Sequence, residues 1–215
     1  MYITFDGKRF EVYHGETVLT VARREGIDIP ALCFSGEAAV HPPTSCLVCL
    51  VKVAGRFVPA CATSVADGMS VESETDEVHQ MRRSALELLL SDHISTCQTC
   101  GEGRKKCKLL RYMSKYKADR NKWNSGQKIE DDSHFPSSAK CIKCGICVAV
   151  SPALTFIGRG NNLRVERIDN GQTAIDNERL SRACPTAAIV SEERYHFRQS
   201  ESGQNFADAK GGGTP

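Results

Sequence analysis

The sequence predicts an α+β fold that is organised around three groups of cysteines. Its 215 residues contain 11 cysteines, and these fall into three separate groups along the chain. Strand and hairpin patterns occupy the first third of the chain, and a helical period follows them. These observations predict three small units, each holding one cysteine group, and a polar tail. We place their boundaries at residues 1–73, 74–120, 121–190 and 191–215.

Residues 1–73 have the pattern of a compact unit of strands and one helix. Tyr2–Phe5 and residues 9–13 alternate as the two strands of a hairpin around an Asp-Gly turn. Residues 17–25 follow as a helix that a glycine stops. A second hairpin is predicted for residues 47–53 and 57–60. A hairpin, a helix and further strands around a cysteine loop indicate a β-grasp domain.

The second unit begins with a long amphipathic helix over residues 75–91. Its apolar residues recur with a helical period, and we expect that face to pack on the core. The helix leads directly into the second cysteine group and therefore helps to position it. The residues expected on the buried face are Val78, Met81, Ala85, Leu88 and Leu89.

The third cysteine group has the most specific spacing. Cys141, Cys144 and Cys147 form a C-x2-C-x2-C run, and Cys184, followed by proline, supplies a distant fourth thiolate. Bacterial ferredoxins use a C-x2-C-x2-C-x3-C-P run, whose last cysteine serves another cluster. Ser151 stands in that place here, so the remaining four cysteines predict a single 4Fe–4S cluster in a ferredoxin-like domain. A structural zinc site is the alternative, since four thiolates also suit zinc.

The first cysteine group fits a 2Fe–2S cluster. Its central C-x2-C pair and its distant last cysteine are typical of plant-type ferredoxins, although the spacings differ. By spacing alone, zinc would be a fair competitor. The preceding hairpin and helix favour the 2Fe–2S cluster. The four cysteines are Cys33, Cys46, Cys49 and Cys61.

The second group lacks a fourth cysteine. It consists of Cys97, Cys100 and Cys107. Neutral imidazole is a good metal ligand, and His93 lies four residues before the first of these cysteines. His79 and His134 are more distant candidates in the sequence.

Composition favours an intracellular metal protein. Clustered cysteines in a cytosolic chain usually bind metal, and an odd number does not allow complete disulfide pairing. The longest aliphatic run is far shorter than the roughly 20 apolar residues of a spanning helix. The N-terminus alternates like a strand, so we expect no signal peptide and a cytoplasmic location. The alternative is docking to a membrane complex as a peripheral subunit.

A basic segment raises a second hypothesis, a zinc-stabilised scaffold that binds a partner or nucleic acid. Residues 104–122 carry nine Lys or Arg, and they include Tyr112 and Tyr116, with Trp123 nearby, which could stack on bases. The formal net charge of the whole chain is only +2. We therefore expect no nucleic-acid partner.

The sequence offers no substrate-converting site. It contains no G-x-G-x-x-G dinucleotide fingerprint, and its three cysteine groups leave no cysteine for a hydrogen-activating centre. The predicted chemistry is therefore one-electron transfer.

With these three groups in order, the chain closely resembles a known family. It is similar to the iron–sulfur subunit of the diaphorase module of NAD-reducing NiFe hydrogenases. It also resembles the N-terminal region of the largest peripheral-arm subunit of respiratory complex I, and the N-terminal relay of FeFe hydrogenases. The resemblance covers residues 1–190. It implies a β-grasp 2Fe–2S domain, a helical 4Fe–4S domain with one histidine and three cysteine ligands, and a ferredoxin-like 4Fe–4S domain.

The resemblance also implies ligands and partners. The three ligand sets are Cys33, Cys46, Cys49 and Cys61 for the 2Fe–2S cluster, His93, Cys97, Cys100 and Cys107 for the middle 4Fe–4S cluster, and Cys141, Cys144, Cys147 and Cys184 for the last. The family pattern has five residues before the last middle cysteine, and this chain has six. The expected partners are a subunit that binds FMN and NAD(P)H and a catalytic NiFe hydrogenase subunit. A formate dehydrogenase, an electron-bifurcating assembly or a complex I-like assembly is the alternative.

Overall fold

The computed structural model describes residues 1–36, 42–91, 93, 107–123, 139–168 and 174–189. Two predicted ligands, Cys97 and Cys100, lie outside these ranges, as do His134 and the predicted tail over residues 191–215. Within the described residues, helices and strands are mixed, so the predicted α+β class is confirmed.

A five-stranded sheet forms the N-terminal part of the structure, in the order β2-β1-β5-β3-β4. Strand β1 pairs antiparallel with β2 and parallel with β5, while β3 pairs antiparallel with both β4 and β5. This arrangement of two hairpins joined through β5 agrees with the predicted β-grasp. The strands are β1 (Tyr2–Phe5), β2 (Lys8–Glu11), β3 (Leu50–Val53), β4 (Arg56–Pro59) and β5 (Ser70–Glu72).

One helix packs on this sheet. Helix α1 (Val18–Arg24) begins after Thr17, whose hydroxyl accepts the amide hydrogen of Thr20 in a reciprocal capping arrangement. Its apolar face packs with Ile3 and Phe5 of the sheet in one buried cluster. The predicted helix is therefore confirmed, with ends within a residue of the expected ones.

Helix α2 (Asp76–Ser91) is present where it was expected, but the predicted buried face is only partly confirmed: Val78 is buried, and Ala85 and Leu89 are partly buried. Met81 and Leu88 are 39% and 59% exposed. The buried face is rotated around the helix and includes two charged residues. Their hydrogen-bond partners, such as Leu50 for Arg82 and Lys122 for Glu87, come from distant parts of the chain, which an apolar period cannot reveal. The buried residues are Val78, Arg82, Leu86, Glu87 and Leu90.

Helix α3 (Lys108–Tyr116) lies within the basic segment. The thiol of Cys107 caps its N-terminus by accepting the amide hydrogen of Leu110, at 3.4 Å. Tyr112 and Tyr116 are only 5% and 3% exposed and belong to the core. They are therefore not available to stack on bases, whereas Trp123 is 51% exposed.

The C-terminal part contains two short helices and a hairpin. Helix α4 (Ile146–Val150) leads into strands β6 (Leu154–Ile157) and β7 (Arg164–Arg167), which pair antiparallel. Helix α5 (Asn177–Ala183) closes the unit. A small apolar cluster joins the hairpin to α5 through Leu154, Val165, Leu180 and Ile189.

A single apolar cluster draws residues from all three predicted units. The first unit contributes side chains next to its cysteines, the second contributes helices α2 and α3, and the third contributes its cysteine loop. The buried members of the cluster include Leu32, Cys33, Cys46, Val48, Leu86, Leu90, Leu109, Tyr112, Tyr116, Ile142, Cys144 and Ile146.

Among the described residues, no helix is long and apolar enough to cross a membrane.

The shared cluster predicts a large effect of the substitution Leu86→Ala. Leu86 is fully buried there, so truncation leaves a cavity and should lower the free energy of unfolding by about 2–5 kcal/mol. Denaturant unfolding under anaerobic conditions measures the change. The matched control is Leu88→Ala on the exposed side of the same helix, which should stay within about 0.5 kcal/mol. Equal losses for both variants would contradict the assigned face.

Candidate metal centres

The four cysteines of the first group come together in the structure. Cys33 follows α1, Cys46 and Cys49 precede β3, and Cys61 follows β4. The thiol of Cys33 is in hydrogen-bonding contact with those of Cys46 and Cys61, and Cys49 is in contact with Cys61. All four thiols are free and at most 2% exposed. The loops around the sheet therefore gather the predicted set in one buried place.

The electrostatics of this group reflect mutual contact between thiols. Hydrogen bonds from Cys46 and Cys61 lower the pKa of Cys33. The same contact with Cys33, followed by burial, raises the pKa of Cys46, and contacts with Cys33 and Cys49 raise that of Cys61. Four buried thiolates repel one another, so they need a cationic centre to become ligands together.

The third group lines a pocket. Cys141, Cys144, Cys147 and Cys184 surround it, together with apolar side chains from α4, α5 and β7. Burial raises the pKa of Cys141 and Cys144, and it raises that of Cys147 to about 12, with a contribution from Cys141. A mostly apolar pocket lined by four thiols is a site that binds soft metal centres.

The described part of the middle group is His93 and Cys107. The Nδ1 atom of His93 is buried and has no hydrogen-bond partner. Burial, then the charges of Arg120 and Lys140, lower the pKa of His93 to about 4. The imidazole is therefore neutral near pH 7, as a metal ligand must be.

The alternative histidine has other partners. The Nε2 atom of His79 lies 3.0 Å from Glu74 Oε2, and its ring packs edge-on against Tyr116 at 5.4 Å between centroids. His79 is thus held in a surface pair, and His93 is the better candidate for the fourth ligand.

Direct contacts join the described parts of the three groups. Ser45, next to the first group, donates its hydroxyl to the carbonyl of Cys144 at 2.6 Å. Pro43 lies against Gly145, which has φ of +77°, and a Cβ at that glycine would be 3.1 Å from Pro43 Cβ. His93 hydrogen-bonds to the backbone of Lys140, the residue before Cys141. The third group therefore contacts described residues of both other groups, although it is last in sequence.

Sequence reasoning missed these contacts between the groups. Ser45 and Pro43 belong to no ligand motif, and nothing in their spacing indicates a partner in a distant part of the chain. Gly145 lies inside the C-x2-C-x2-C run, and its left-handed conformation gives a reason for a glycine there.

The donor sets fit iron–sulfur clusters. None of the nine described cysteines forms a disulfide, and two complete sets of four converge, one in a buried place and one on a pocket. The orphaned Nδ1 of His93 offers a neutral donor beside the third group. In the described ranges, no group of three or more His, Cys, Asp or Glu side chains has the spacing to hold a single metal ion.

Two family models match the chain. One, described as a 2Fe-2S iron-sulfur cluster binding domain, matches residues 1–76. The other, described as the NADH-ubiquinone oxidoreductase-G iron-sulfur binding region, matches residues 82–122. They cover the first two predicted units, and they support 2Fe–2S and iron–sulfur binding there.

Curated relatives agree with these matches. The NADP-reducing hydrogenase subunit HndD of Solidesulfovibrio fructosivorans is 32% identical over 89% of this chain and 36% of its own length. The mitochondrial NADH-ubiquinone oxidoreductase 78 kDa subunit of Candida albicans is 27% identical over 91% of this chain and 29% of its own length. The chain thus spans about a third of the length of these relatives.

A crystal structure of an NAD+-reducing [NiFe]-hydrogenase in the H2-reduced state contains a similar chain. The two chains are 29% identical with a TM-score of 0.74, and the match covers 87% of this chain and 86% of the other. The resemblance predicted from the cysteine groups is confirmed.

The contact between the first and third groups predicts the effect of Gly145→Ala. A Cβ would meet Pro43 and strain a left-handed backbone, at a cost of about 1–2 kcal/mol for the backbone alone. We expect loss of iron and labile sulfide from the third site, measured on anaerobically purified protein. The matched control is Gly55→Ala, which has the same φ but no atom within 4 Å of the new Cβ. Equal iron loss in both variants would contradict a role for the contact.

A ligand substitution tests the third site. Cys144→Ala should remove about four irons per chain and one 4Fe–4S signal in electron paramagnetic resonance (EPR), and leave the 2Fe–2S signal. Ser151→Ala is the control, because this serine stands where a second-cluster cysteine would be and should not bind iron. Full iron content in the Cys144→Ala protein would show that Cys144 does not bind iron.

Proposed function

We propose that the chain is an electron-transfer subunit of an NAD(P)-linked oxidoreductase. The support is its match to a 2Fe–2S domain and to an NADH-ubiquinone oxidoreductase-G iron–sulfur region, and its similarity to components of such enzymes. In this proposal it relays electrons between an NAD(P)H- and flavin-binding subunit and a catalytic subunit. It contributes to an oxidoreductase without a substrate-converting site of its own.

The gathering of two complete donor sets, together with His93 and Cys107, around one core carries this proposal. We propose one 2Fe–2S and two 4Fe–4S clusters, which accept and release single electrons when bound. The proposed ligands are Cys33, Cys46, Cys49 and Cys61 for the first site, His93, Cys97, Cys100 and Cys107 for the middle site, and Cys141, Cys144, Cys147 and Cys184 for the third.

The chain's own residues would set the order of the sites in space. The hydroxyl of Ser45 and the imidazole of His93 both bond to the backbone of the third cysteine loop. We therefore propose that electrons cross from the first site to the third before they reach the middle site, or the reverse. Apolar side chains from α2 and α3 keep water out between the sites.

The relatives support a proposal for the partners. We propose a subunit that binds FMN and NAD(P)H on one side and a NiFe hydrogenase subunit on the other, supported by the names of the hydrogenase relatives. The same relay role in a formate dehydrogenase, an electron-bifurcating enzyme or a complex I-like assembly is the alternative. We place the protein in the cytoplasm, where its thiols stay reduced.

Native purification tests this function. The chain, tagged and isolated anaerobically from its own cells, should bring down a flavin-containing subunit. Addition of NADH or NADPH to the complex should then produce the EPR signals of reduced clusters within seconds, because the flavin delivers electrons to them. A complex with no flavin subunit, or clusters that only dithionite reduces, would contradict the proposal.

A further inference from the structure

Arg82 is a buried cation whose role the ligand sets do not explain. It lies on α2 and is 0% exposed. Its Nε donates to the carbonyl of Leu50 at 2.9 Å, and its Nη1 donates to the hydroxyl of Tyr116 at 3.0 Å. Both acceptors are neutral, so they orient the guanidinium without balancing its charge.

The nearest carboxylate balances this charge only weakly. Glu74 Oε1 lies 3.8 Å from Nη1, and the Glu74 side chain is 50% exposed. The Nη2 atom is buried and has no hydrogen-bond partner. A buried cation with so little compensation is costly, so the folded protein needs another source of negative charge nearby.

The first cysteine group is linked to Arg82 through β3 and the shared apolar cluster. The carbonyl that Arg82 holds belongs to Leu50, which directly follows Cys49 and begins β3. Helix α2 packs on β3, and Leu86, one turn after Arg82, lies in the same cluster as Cys33 and Cys46. Four thiolates and two sulfides outweigh the charge of two ferric ions, so a 2Fe–2S centre at this group is an anion.

We propose that Arg82 is the electrostatic partner of the 2Fe–2S site and sets its reduction potential. This inference rests on the proposed function. Reduction adds one electron, delivered by the flavin partner, to a site that is already negative, and no bond is made or broken. A buried cation stabilises the reduced form more than the oxidised form, because the reduced form carries one more negative charge. The low dielectric response of the core makes this difference large. Arg82 therefore makes the site easier to reduce.

The test is a redox titration of the 2Fe–2S EPR signal in the anaerobically purified holo-protein. Arg82→Gln removes the charge and keeps a polar side chain. It should shift the one-electron reduction equilibrium at least tenfold towards the oxidised form, which is about 59 mV to lower potential. Arg82→Lys keeps the charge and should lower the reduction potential by less than half as many millivolts.

The matched control is Arg83→Gln. Arg83 is the next residue on α2, is exposed and donates to the carbonyl of the same Tyr116 at 2.9 Å. Because water screens its charge, its loss should leave the potential unchanged. A purely structural role for Arg82 would alter cluster content or signal shape in both Arg82 variants and would not separate them by charge.

Two results would overturn the inference. One is an Arg82→Gln protein with a loaded cluster and the wild-type potential. The other is an Arg82→Lys protein whose reduction equilibrium shifts tenfold or more towards the oxidised form. The Arg82→Lys variant decides the matter if Arg82→Gln does not load the cluster. Absence of a 2Fe–2S signal from the wild-type protein would instead contradict the proposed function.

Discussion

The apolar cluster between the three cysteine groups is the constraint on which the rest of the structure depends. Helices α2 and α3 contribute Leu86, Leu109 and Tyr112 to it, and the cysteine loops contribute Cys46 and Cys144. Because these side chains pack together, the units that hold the cysteines cannot move independently. Electron transfer needs short, fixed distances between centres, and a shared core provides them without a flexible linker. The contacts of Ser45 and His93 with the third loop are consequences of this packing.

The same core determines how charge is buried. Glu87 is 2% exposed and pairs with Lys122 at 2.7 Å, so its burial is compensated within the protein. Arg82 and His93 differ, because each has a buried nitrogen without a partner. Uncompensated polar atoms are rare in folded proteins, and their presence beside the cysteine groups indicates a missing partner. An anionic cluster beside Arg82 and a metal beside His93 would supply it.

The sequence predicted what depends on local spacing. Ligand runs such as the loop from Cys141 to Cys147, and the turns of the hairpins, are fixed by residues close in the chain. It failed where distant segments decide the outcome. The buried face of α2 includes Arg82, whose partners Leu50 and Tyr116 are more than thirty residues away in each direction. The tyrosines of α3 looked like surface residues because basic neighbours surround them. The domain boundaries, the ligand assignment and the number of clusters stay predictions.

The most direct measurement is the content of iron, acid-labile sulfide and zinc per chain in anaerobically purified protein. One 2Fe–2S and two 4Fe–4S clusters in the three cysteine groups predict about ten irons with matching sulfide and no zinc. About six irons would mean that one 4Fe–4S site is absent, and a relay of three centres would then be wrong. Zinc without labile sulfide would contradict electron transfer outright, because the three groups would then be structural metal sites.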